Sequence, residues 1–339
     1  MTSLAGGRPR VVFAQFGHGR MGKVHARNVA HHPRARLKYL VDPLADPLQA
    51  AEEYGAEVVD ENRVFADPEV AAIIVASPSK THAALVERAA HSGKAIFCEK
   101  PIDVDATRVR AVLRTVAQMG VELFLTFNRR FDPSFRALHD RLRADEIGKP
   151  QIVLLTSRDP YPPPIEIIKI SGGLFRDMMI HDFDVARWLL DEEPVELYAA
   201  GSCLNDPRVA EYGSLDTAVV TLRTATGAIC VINNANNATY GYDQRVEVHG
   251  ERGMLQISNR LPDSVVSSNG DGVAHTPPRH FYIERYADAY RIELDEFIAM
   301  LLDGKTLSPT GEDGLRALVL ADCANESHLT RRPVAVPQS

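Results

Sequence analysis

The chain has few cysteines and no long apolar run. Its 339 residues include four cysteines, and no two of them form a CxxC pair. Because metal sites and disulfide frameworks need clustered cysteines, we expect reduced thiols and no bound metal. No segment is apolar over a membrane-spanning length, and residues 1–9 lack the apolar core of a signal peptide. We therefore expect a cytoplasmic protein with no membrane partner.

The chain also lacks an excess of basic residues. Its formal net charge is -7, whereas surfaces that bind nucleic acids are normally basic, so we expect no nucleic-acid partner. Hydrophobic residues make up 45% and charged residues 24% of the chain, which is typical of a folded globular protein. A chain of this length exceeds one ordinary core and favours two domains.

A glycine-rich motif, GHGRMG at residues 17–22, follows an apolar stretch and precedes a helical pattern. In a dinucleotide-binding turn Gly17 makes the tight turn, Gly19 lets the backbone approach a pyrophosphate, and Gly22 permits close helix packing. A second apolar stretch ends at Asp42, about twenty residues further on, where an acid bonds ribose hydroxyls and repels a 2′-phosphate. We predict NAD rather than NADP. The alternative is an ordinary turn and an exposed aspartate.

Strand-like and helix-like segments then alternate up to about residue 125. This alternation predicts a parallel sheet that binds ligands at the carboxyl ends of its strands. Ser77 and Pro78 fall at one such end, where they either line the nicotinamide side or form a helix-entry turn. Lys100, between Glu99 and Pro101, falls at another. It is placed to stabilise a developing alkoxide, or it is a surface lysine with a nearby acid.

The sequence GGLFRDMMIHDFDVARW, residues 172–188, predicts a helix that begins near Arg176, because apolar residues recur at intervals of three and four. On one helix Asp177, His181 and Asp184 would project from the same stripe. A carboxylate beside an imidazole fixes the ring tautomer and helps the ring to take a proton near neutral pH. The alternatives are a solvated acidic face and a core histidine bonded to a backbone carbonyl.

The pattern changes after residue 150. Six segments between residues 151 and 257 read as strands separated by turns, and helices follow at 281–302 and 311–327. The predicted fold is α/β. An N-terminal Rossmann dinucleotide-binding domain, residues 1–127, precedes a C-terminal α+β domain, residues 128–339, with a large open, mainly antiparallel sheet. Whether the final helix packs back on the first domain is left open.

These motifs, with SPSKTH (77–82), CEKP (98–101) and FNRRFDPSF (127–135), resemble the Gfo/Idh/MocA family of NAD(P)-dependent oxidoreductases from residue 11 to about 329. Blocks 157–184, 215–223 and 240–250 are similar to its inositol 2-dehydrogenase branch. The resemblance implies an enzyme that oxidises a small polyol with NAD: myo-inositol, or another inositol isomer or cyclic sugar. The family also contains NAD-binding regulators without turnover, which tend to lose residues of the catalytic set. The resemblance further implies that the chain forms a homo-oligomer, which is a tetramer by family analogy.

Residue by residue, the resemblance makes Lys100, Asp177 and His181 the catalytic set and allows a cis Lys100–Pro101 bond. The implied cofactor-binding residues are Gly17, His18, Gly19, Arg20, Met21, Gly22, Asp42, Ser77, Pro78, His82, Glu99 and Lys100. The implied substrate-binding residues are Lys100, Asn128, Asp159, Asp177, His181 and Tyr240, with Arg130 and Tyr286 as further candidates. Packing or domain joining would equally explain five of these: Asn128, Arg130, Asp159, Tyr240 and Tyr286. Three positions depart from the family pattern. His18 stands where a small residue is usual, and Ser157 and Asp159 stand where some inositol dehydrogenases carry His and Asn.

Overall fold

The computed structural model describes residues 9–306 and 308–338. The stretch before Pro9, on which the expectation of no signal peptide rests, lies outside the described residues. The chain divides into two compact units. The first contains the residues up to Phe131 together with Asp288–Arg316, and the second contains Asp132–Ala287 with the residues from Ala317 onward.

The first unit is built on a six-stranded parallel sheet. Its strands are β1 Val11–Phe16, β2 Ala35–Val41, β3 Glu57–Val58, β4 Ala72–Val75, β5 Ala95–Cys98 and β6 Leu123–Leu125. Its first helices are α1 Arg20–His31, α2 Pro47–Tyr54, α3 Glu61–Ala66, α4 His82–His91 and α5 Ala106–Met119. The strand order β3-β2-β1-β4-β5-β6 is that of a Rossmann sheet, and the order reverses between β1 and β4. The predicted dinucleotide-binding fold is confirmed.

Strands β4 and β5 of this sheet are apolar along their whole length because both faces are covered. Every residue of β4 and β5 is buried, and Phe13, Ile73 and Phe97 have no exposed surface. Such strands leave only their carboxyl ends to meet a polar ligand, so the loops after β1, β4 and β5 are where a site can form.

The second unit is built on a seven-stranded sheet. The strands of this unit are β7 Pro150–Arg158, β8 Pro194–Ser202, β9 Thr217–Thr224, β10 Ile229–Ala235, β11 Asp243–Gly250, β12 Gly253–Ile257, β13 Val266–Asn269, β14 Gly272–His275 and β15 Val334–Ala335. The sheet order is β12-β11-β7-β10-β9-β8-β15, and β13 pairs with β14 as a separate hairpin. Neighbouring strands are antiparallel except β7 and β10, which run parallel. The predicted mainly antiparallel sheet is confirmed.

Helices cover one face of this second sheet. The remaining helices of the chain are α6 Pro133–Arg143, α7 Ile165–Ser171, α8 Leu174–Asp177, α9 Ile180–Leu190, α10 Pro207–Glu211, α11 Tyr282–Arg285, α12 Ala287–Asp303 and α13 Gly311–Thr330. Helix α9 packs on β7, and α6 packs beside β12. The strands alternate buried and exposed residues, as one-sided burial requires. The opposite face presents partly exposed apolar side chains of Ile152, Leu154, Tyr198, Val219, Ile229 and Met254.

Several local features differ from the sequence-based expectation. The helix predicted at 281–302 is two helices, α11 and α12, which meet at Tyr286. Helix α7 and the β13–β14 hairpin lie in stretches for which no element was predicted. No helix in the described part of the chain is long and apolar enough to cross a membrane.

Candidate active site

The glycine-rich loop after β1 is shaped by two positions where a side chain would not fit. Gly17 has φ +94°, and a Cβ there would stand 2.5 Å from the Ser77 backbone nitrogen. A Cβ on Gly22 would meet the carbonyl oxygen of Gly17. Gly19 is different, because a Cβ on it would meet nothing within 4 Å. The loop is therefore packed tightly on the protein side and is open at the helix N-terminus, which fits a bound pyrophosphate.

The buried side-chain amide of Gln15 holds the glycine-rich loop on its protein-facing side. The side chain of Gln15 donates hydrogen bonds of 2.8 Å to the carbonyl oxygens of both Gly17 and Gly22. The two carbonyls are thus turned inward, and the N–H groups of the first turn of α1 are left for a ligand. Arg20 and Met21 begin that turn, Arg20 exposed and Met21 half-buried. The sequence carried no signal for Gln15 beyond its place in an apolar strand.

Asp42 connects the end of β2 to the glycine-rich loop. Its Oδ2 accepts a 2.6 Å hydrogen bond from the His18 backbone N–H, and its Oδ1 accepts a 2.8 Å bond from the Leu44 N–H. Each carboxylate oxygen has a second lone pair, so these bonds fix the carboxylate and leave acceptor capacity for a ribose diol. The negative charge predicted to exclude a 2′-phosphate is therefore held rigidly beside the loop.

The His18 ring lies against α2 instead of extending over the loop. Its Nε2 is 3.2 Å from the Tyr54 hydroxyl, and the two rings meet edge to face with centroids 5.5 Å apart. Burial and the nearby positive charge of Lys23 lower the pKa of His18 below its ordinary value. A neutral ring adds no positive charge to the loop.

The loops after β4 and β5 are joined by His82. Its Nδ1 lies 2.8 Å from the Pro101 carbonyl oxygen, and its Nε2 lies 2.7 Å from the Ser77 carbonyl oxygen. His82 is buried, so this geometry supports the two loops and turns both ring nitrogens toward the protein backbone. The Ser77 hydroxyl lies 2.6 Å from the Thr81 hydroxyl, which donates to the Pro78 carbonyl oxygen. Ser77 and Pro78 thus form an ordered turn at the end of β4.

The Lys100–Pro101 peptide is cis, as the family resemblance allowed. The residue before it, Glu99, is bonded on both carboxylate oxygens: His25 Nε2 lies 2.7 Å from Oε1, and the Thr126 hydroxyl donates a 2.8 Å bond to Oε2. Burial by itself would raise the pKa of Glu99, but the His25 bond, Thr126 and the charge of Lys100 lower it overall. Glu99 is therefore an ionised, fixed neighbour of Lys100.

In the second unit the predicted single helix around His181 is wrong. Helix α8 ends at Asp177 and α9 begins at Ile180, because the Met179 N–H bonds at 3.0 Å to the carbonyl oxygen of Leu174, five residues earlier, which interrupts the regular i→i−4 pattern. Asp177 thus closes one helix and His181 lies in the first turn of the next, both half-buried. Asp184 is fully buried and does not share an exposed stripe with them. The apolar spacing could not reveal this break, since Phe175, Met178 and Met179 suit either arrangement.

The first turn of α9 is attached to the sheet by Asp182, the neighbour of His181. The Ser157 hydroxyl donates a 2.6 Å bond to Asp182 Oδ1, and the Asn234 amide donates a 3.1 Å bond to Oδ2. The side-chain amide of Gln244 lies 3.1 Å from the same Ser157 hydroxyl and 3.2 Å from the Tyr286 hydroxyl. Ser157, Asn234 and Gln244 are aligned across β7, β10 and β11, so three strands fix the position of His181.

The remaining predicted residues are spread over both units. In the first unit Asn128 is buried in a short turn after β6, and Arg130 pairs with Asp313 at 2.9 Å, as the packing explanation requires. In the second unit Asp159 follows β7, and its backbone bonds to Ala235 and Ala238. Tyr240 is 46% exposed and donates a 2.6 Å bond to Asp243.

Comparison with known proteins identifies the family. The model of the oxidoreductase family with an NAD-binding Rossmann fold matches residues 11–127, and the model of the GFO/IDH/MocA C-terminal domain matches residues 135–256. An inositol 2-dehydrogenase of Rhizobium meliloti (strain 1021) is 45% identical over 327 residues, which are 96% of this chain and 99% of that protein. The chain belongs to the Gfo/Idh/MocA oxidoreductase family.

Solved structures of the family agree with this fold along the whole chain. A myo-inositol dehydrogenase from Corynebacterium glutamicum has a TM-score of 0.92 and 40% identity, and the match covers 97% of this chain and 100% of that one. A scyllo-inositol dehydrogenase from Lactobacillus casei, with bound cofactor NAD(H) and scyllo-inositol, has a TM-score of 0.90 and 30% identity. That match covers 96% of this chain and 99% of the other.

As a Gfo/Idh/MocA oxidoreductase, this chain contains supporting residues that its sequence did not single out. They are Gln15 below the glycine-rich loop, His25 and Thr126 around Glu99, and Asp182 with Asn234 and Gln244 below His181. Gln15 acts on its own loop, but the others act between distant parts of the chain; His25 and Glu99, for example, are 74 residues apart. The local sequence pattern does not predict such partners.

Proposed function

We propose that the protein oxidises myo-inositol to 2-keto-myo-inositol (scyllo-inosose) with NAD. The observation that carries the proposal is near full-length similarity to two dehydrogenases. One is the inositol 2-dehydrogenase of Rhizobium meliloti, at 45% identity, and the other is the myo-inositol 2-dehydrogenase of Thermotoga maritima, at 40% identity. The chain also retains Lys100, Asp177 and His181. The retention of all three favours an enzyme over the NAD-binding regulators of the family.

In this proposal His181 is the general base that removes the proton of the reacting hydroxyl, and Asp177 supports the resulting imidazolium. Lys100 stabilises the negative charge that develops on the same oxygen. A secondary alcohol holds its proton strongly near neutral pH, so a positioned base and a positive charge are both needed. The nicotinamide, when bound, accepts the hydride. Asp182, held by Ser157 and Asn234, keeps the first turn of α9 in place.

We assign cofactor binding to the first unit. The N–H groups at the start of α1 would hold the pyrophosphate, and Asp42 would accept hydrogen bonds from the adenosine ribose. His18, Arg20, Met21, Ser77 and Pro78 would border the dinucleotide, with His82 and Glu99 supporting the loops. Because the Asp42 carboxylate is negative and fixed, we expect a strong preference for NAD over NADP.

We assign recognition of the remaining ring hydroxyls to Asn128, Asp159 and Tyr240. Ser157, which replaces a histidine of some relatives, donates its hydroxyl proton to Asp182, so Asp159 is the better candidate of the two to meet the substrate. The alternatives are scyllo-inositol, D-chiro-inositol and glucose. The solved scyllo-inositol dehydrogenase, at 30% identity, keeps the first of these open.

The deciding experiment is the initial rate of NADH formation with purified protein on these four compounds. We expect the highest kcat/KM with myo-inositol. His181→Asn should lower kcat by about a hundredfold or more while NAD affinity changes little, since general acid–base catalysis typically contributes that much. His275→Asn, in the exposed β13–β14 hairpin, is the matched control. Unaltered turnover in His181→Asn would remove the assigned base, and faster turnover of another polyol would change the substrate.

We also propose a cytoplasmic homo-oligomer, a tetramer by family analogy. The support is the uncovered sheet face with Leu154 and Val219, because such an apolar surface is costly to expose. The four cysteines are free thiols, in keeping with a reducing compartment. Light scattering should give a mass of four times the 37.4 kDa chain. Leu154→Glu should reduce that mass, and a monomeric wild type would contradict the proposal.

A further inference from the structure

Glu293 is an acidic residue buried among apolar side chains. It lies in the middle of α12 and has no exposed surface. Four residues later Phe297 packs against Phe13, Phe97 and Phe124, with ring centroids 6.1, 5.5 and 5.8 Å away. Neither carboxyl oxygen of Glu293 has a hydrogen-bond partner among the described residues. An unpaired carboxylate in such surroundings would be very costly, so the group is expected to keep its proton.

The titratable groups around Glu293 belong to three elements. Helix α12 itself contributes Tyr290, one turn earlier, whose ring lies 6.2 Å from the His25 ring of α1. The end of β5 contributes Glu99. Strands β1 and β6, which also pack on Phe297, carry no ionisable side chain. Burial raises the pKa of Glu293 well above its ordinary value, and the negative charge of Glu99 raises it further.

Two carboxyl groups therefore share one buried region with opposite protonation. The bonds from His25 and Thr126 hold the pKa of Glu99 below its ordinary value, whereas burial raises the pKa of Glu293 well above its own. Burial also raises the pKa of the Cys98 thiol well above its ordinary value, so Cys98 adds no charge. When two neighbouring carboxyl groups differ in proton affinity in this way, one holds a proton and the other carries a negative charge over the same range of pH.

We propose that Glu293 is a positioning residue for Lys100 that acts through Glu99: in its neutral form it adds no negative charge next to Glu99, the neighbour of Lys100 in the chain. The role of Lys100 rests on the proposed function. When Glu293 ionises at alkaline pH, a second negative charge competes for His25 and repels Glu99. The turn of Glu99, Lys100 and Pro101 then loosens, and Lys100 no longer meets the alcohol oxygen in the same place.

The first test needs no substrate. Hydrogen exchange of the segment 95–101 is compared in cofactor-free wild type, Glu293→Gln and Glu296→Gln, at neutral and alkaline pH. Gln is the neutral isostere of a protonated Glu, and Glu296 is a partly exposed residue of the same helix that serves as the control. After correction for intrinsic exchange, wild type and Glu296→Gln should lose protection at alkaline pH, and Glu293→Gln should keep it. Equal loss of protection in all three proteins would overturn the proposal.

The second test is turnover. At neutral pH the kcat of Glu293→Gln should equal that of wild type. One pH unit above the alkaline midpoint of the wild type, the variant should be about tenfold faster, because only about a tenth of wild-type Glu293 then keeps its proton. The KM for NAD should not change. In a Glu99→Gln background the same replacement should have no effect on the pH profile, and a full effect there would show that Glu293 does not act through Glu99.

The two tests also separate this inference from the proposed function. If no polyol is oxidised but Glu293→Gln retains protection at alkaline pH, the proposed function is wrong, but the proposed effect of Glu293 on Glu99 is supported. If myo-inositol is oxidised as proposed but Glu293→Gln follows the wild type in exchange and in pH profile, the inference falls alone. The carbonyl infrared band of a protonated carboxyl, present in wild type and lost in Glu293→Gln, checks the protonation state directly.

Discussion

Replacing Asp132 by Asn should destabilise the second unit more than any exposed change. Asp132 Oδ2 pairs with the Arg285 guanidinium, and both side chains are 2% exposed. Nε and Nη2 of Arg285 have no partner within the described ranges, so Asp132 is the group that balances this buried charge. The other oxygen, Oδ1, accepts hydrogen bonds from Ser134 and Phe135 at the start of α6. Asn keeps that cap and removes only the charge.

The expected magnitude follows from the burial of the pair. Removing one partner of a buried ion pair costs about 3–5 kcal/mol, because the other charge stays buried and uncompensated. For a unit of this size each kcal/mol lowers the melting temperature by about 2–4 °C, so Asp132→Asn should lower it by roughly 6–20 °C. Adding Arg285→Met should recover at least half of the loss, since an apolar side chain leaves no buried charge.

Differential scanning calorimetry of the full chain is the assay. The control is Asp206→Asn, which removes a charge from another helix N-cap of the same unit, where the paired Arg208 is exposed. That control should shift the transition very little. A drop of less than about 2 °C for Asp132→Asn, or a double variant no more stable than the single one, would refute the reasoning.

Three further predictions concern the first unit. Gly17→Ala should abolish NAD binding measured by calorimetric titration, because φ is +94° and a Cβ would meet the loop after β4, whereas Gly120→Ala, with positive φ but nothing within 4 Å, should not. Asp42→Ala should lower kcat/KM for NAD, and it should lower the ratio of kcat/KM for NAD to kcat/KM for NADP by at least about tenfold. An unchanged ratio would show that Asp42 does not select the cofactor. Glu293→Gln should raise the melting temperature at neutral and alkaline pH but not below about pH 4.5, since folded Glu293 keeps a proton that the unfolded chain releases above that pH. The contribution of Glu293 to wild-type stability should therefore fall with rising pH by about 1.4 kcal/mol per unit until Glu293 ionises, and a variant with the same pH dependence as the wild type would contradict this.

Much of the first unit was predictable because its signals are local. A mostly apolar strand, a glycine turn and a helix follow one another within residues 11–31, and each step depends on neighbouring residues. Gly17 needs its positive φ whatever lies around it, and Asp42 follows the second strand directly. Period-two alternation likewise predicted the strands of the second unit, for example β9.

Other features could not be predicted, because their causes lie between distant residues. The parallel pairing of β7 with β10 joins strands about seventy residues apart, and alternation is the same for either direction. The break between α8 and α9 depends on a single backbone bond from Met179 to Leu174 in a stretch whose apolar spacing also suits a continuous helix. Asp184, placed by helical spacing beside His181, is buried instead.

The sequence by itself determined the class of the protein: a dinucleotide-binding unit, an α+β unit, and the residue types that oxidation of an alcohol needs. Those properties are carried by short motifs, whose conformations follow from glycine, proline and local apolar period. Tertiary structure decided which of the polar residues support others. It placed His25 against Glu99, Ser157 against Asp182, and a buried Glu293 with a raised pKa near Glu99. The protonation of a buried acid depends on the burial and charges that the folded chain assembles around it, and no local pattern contains them.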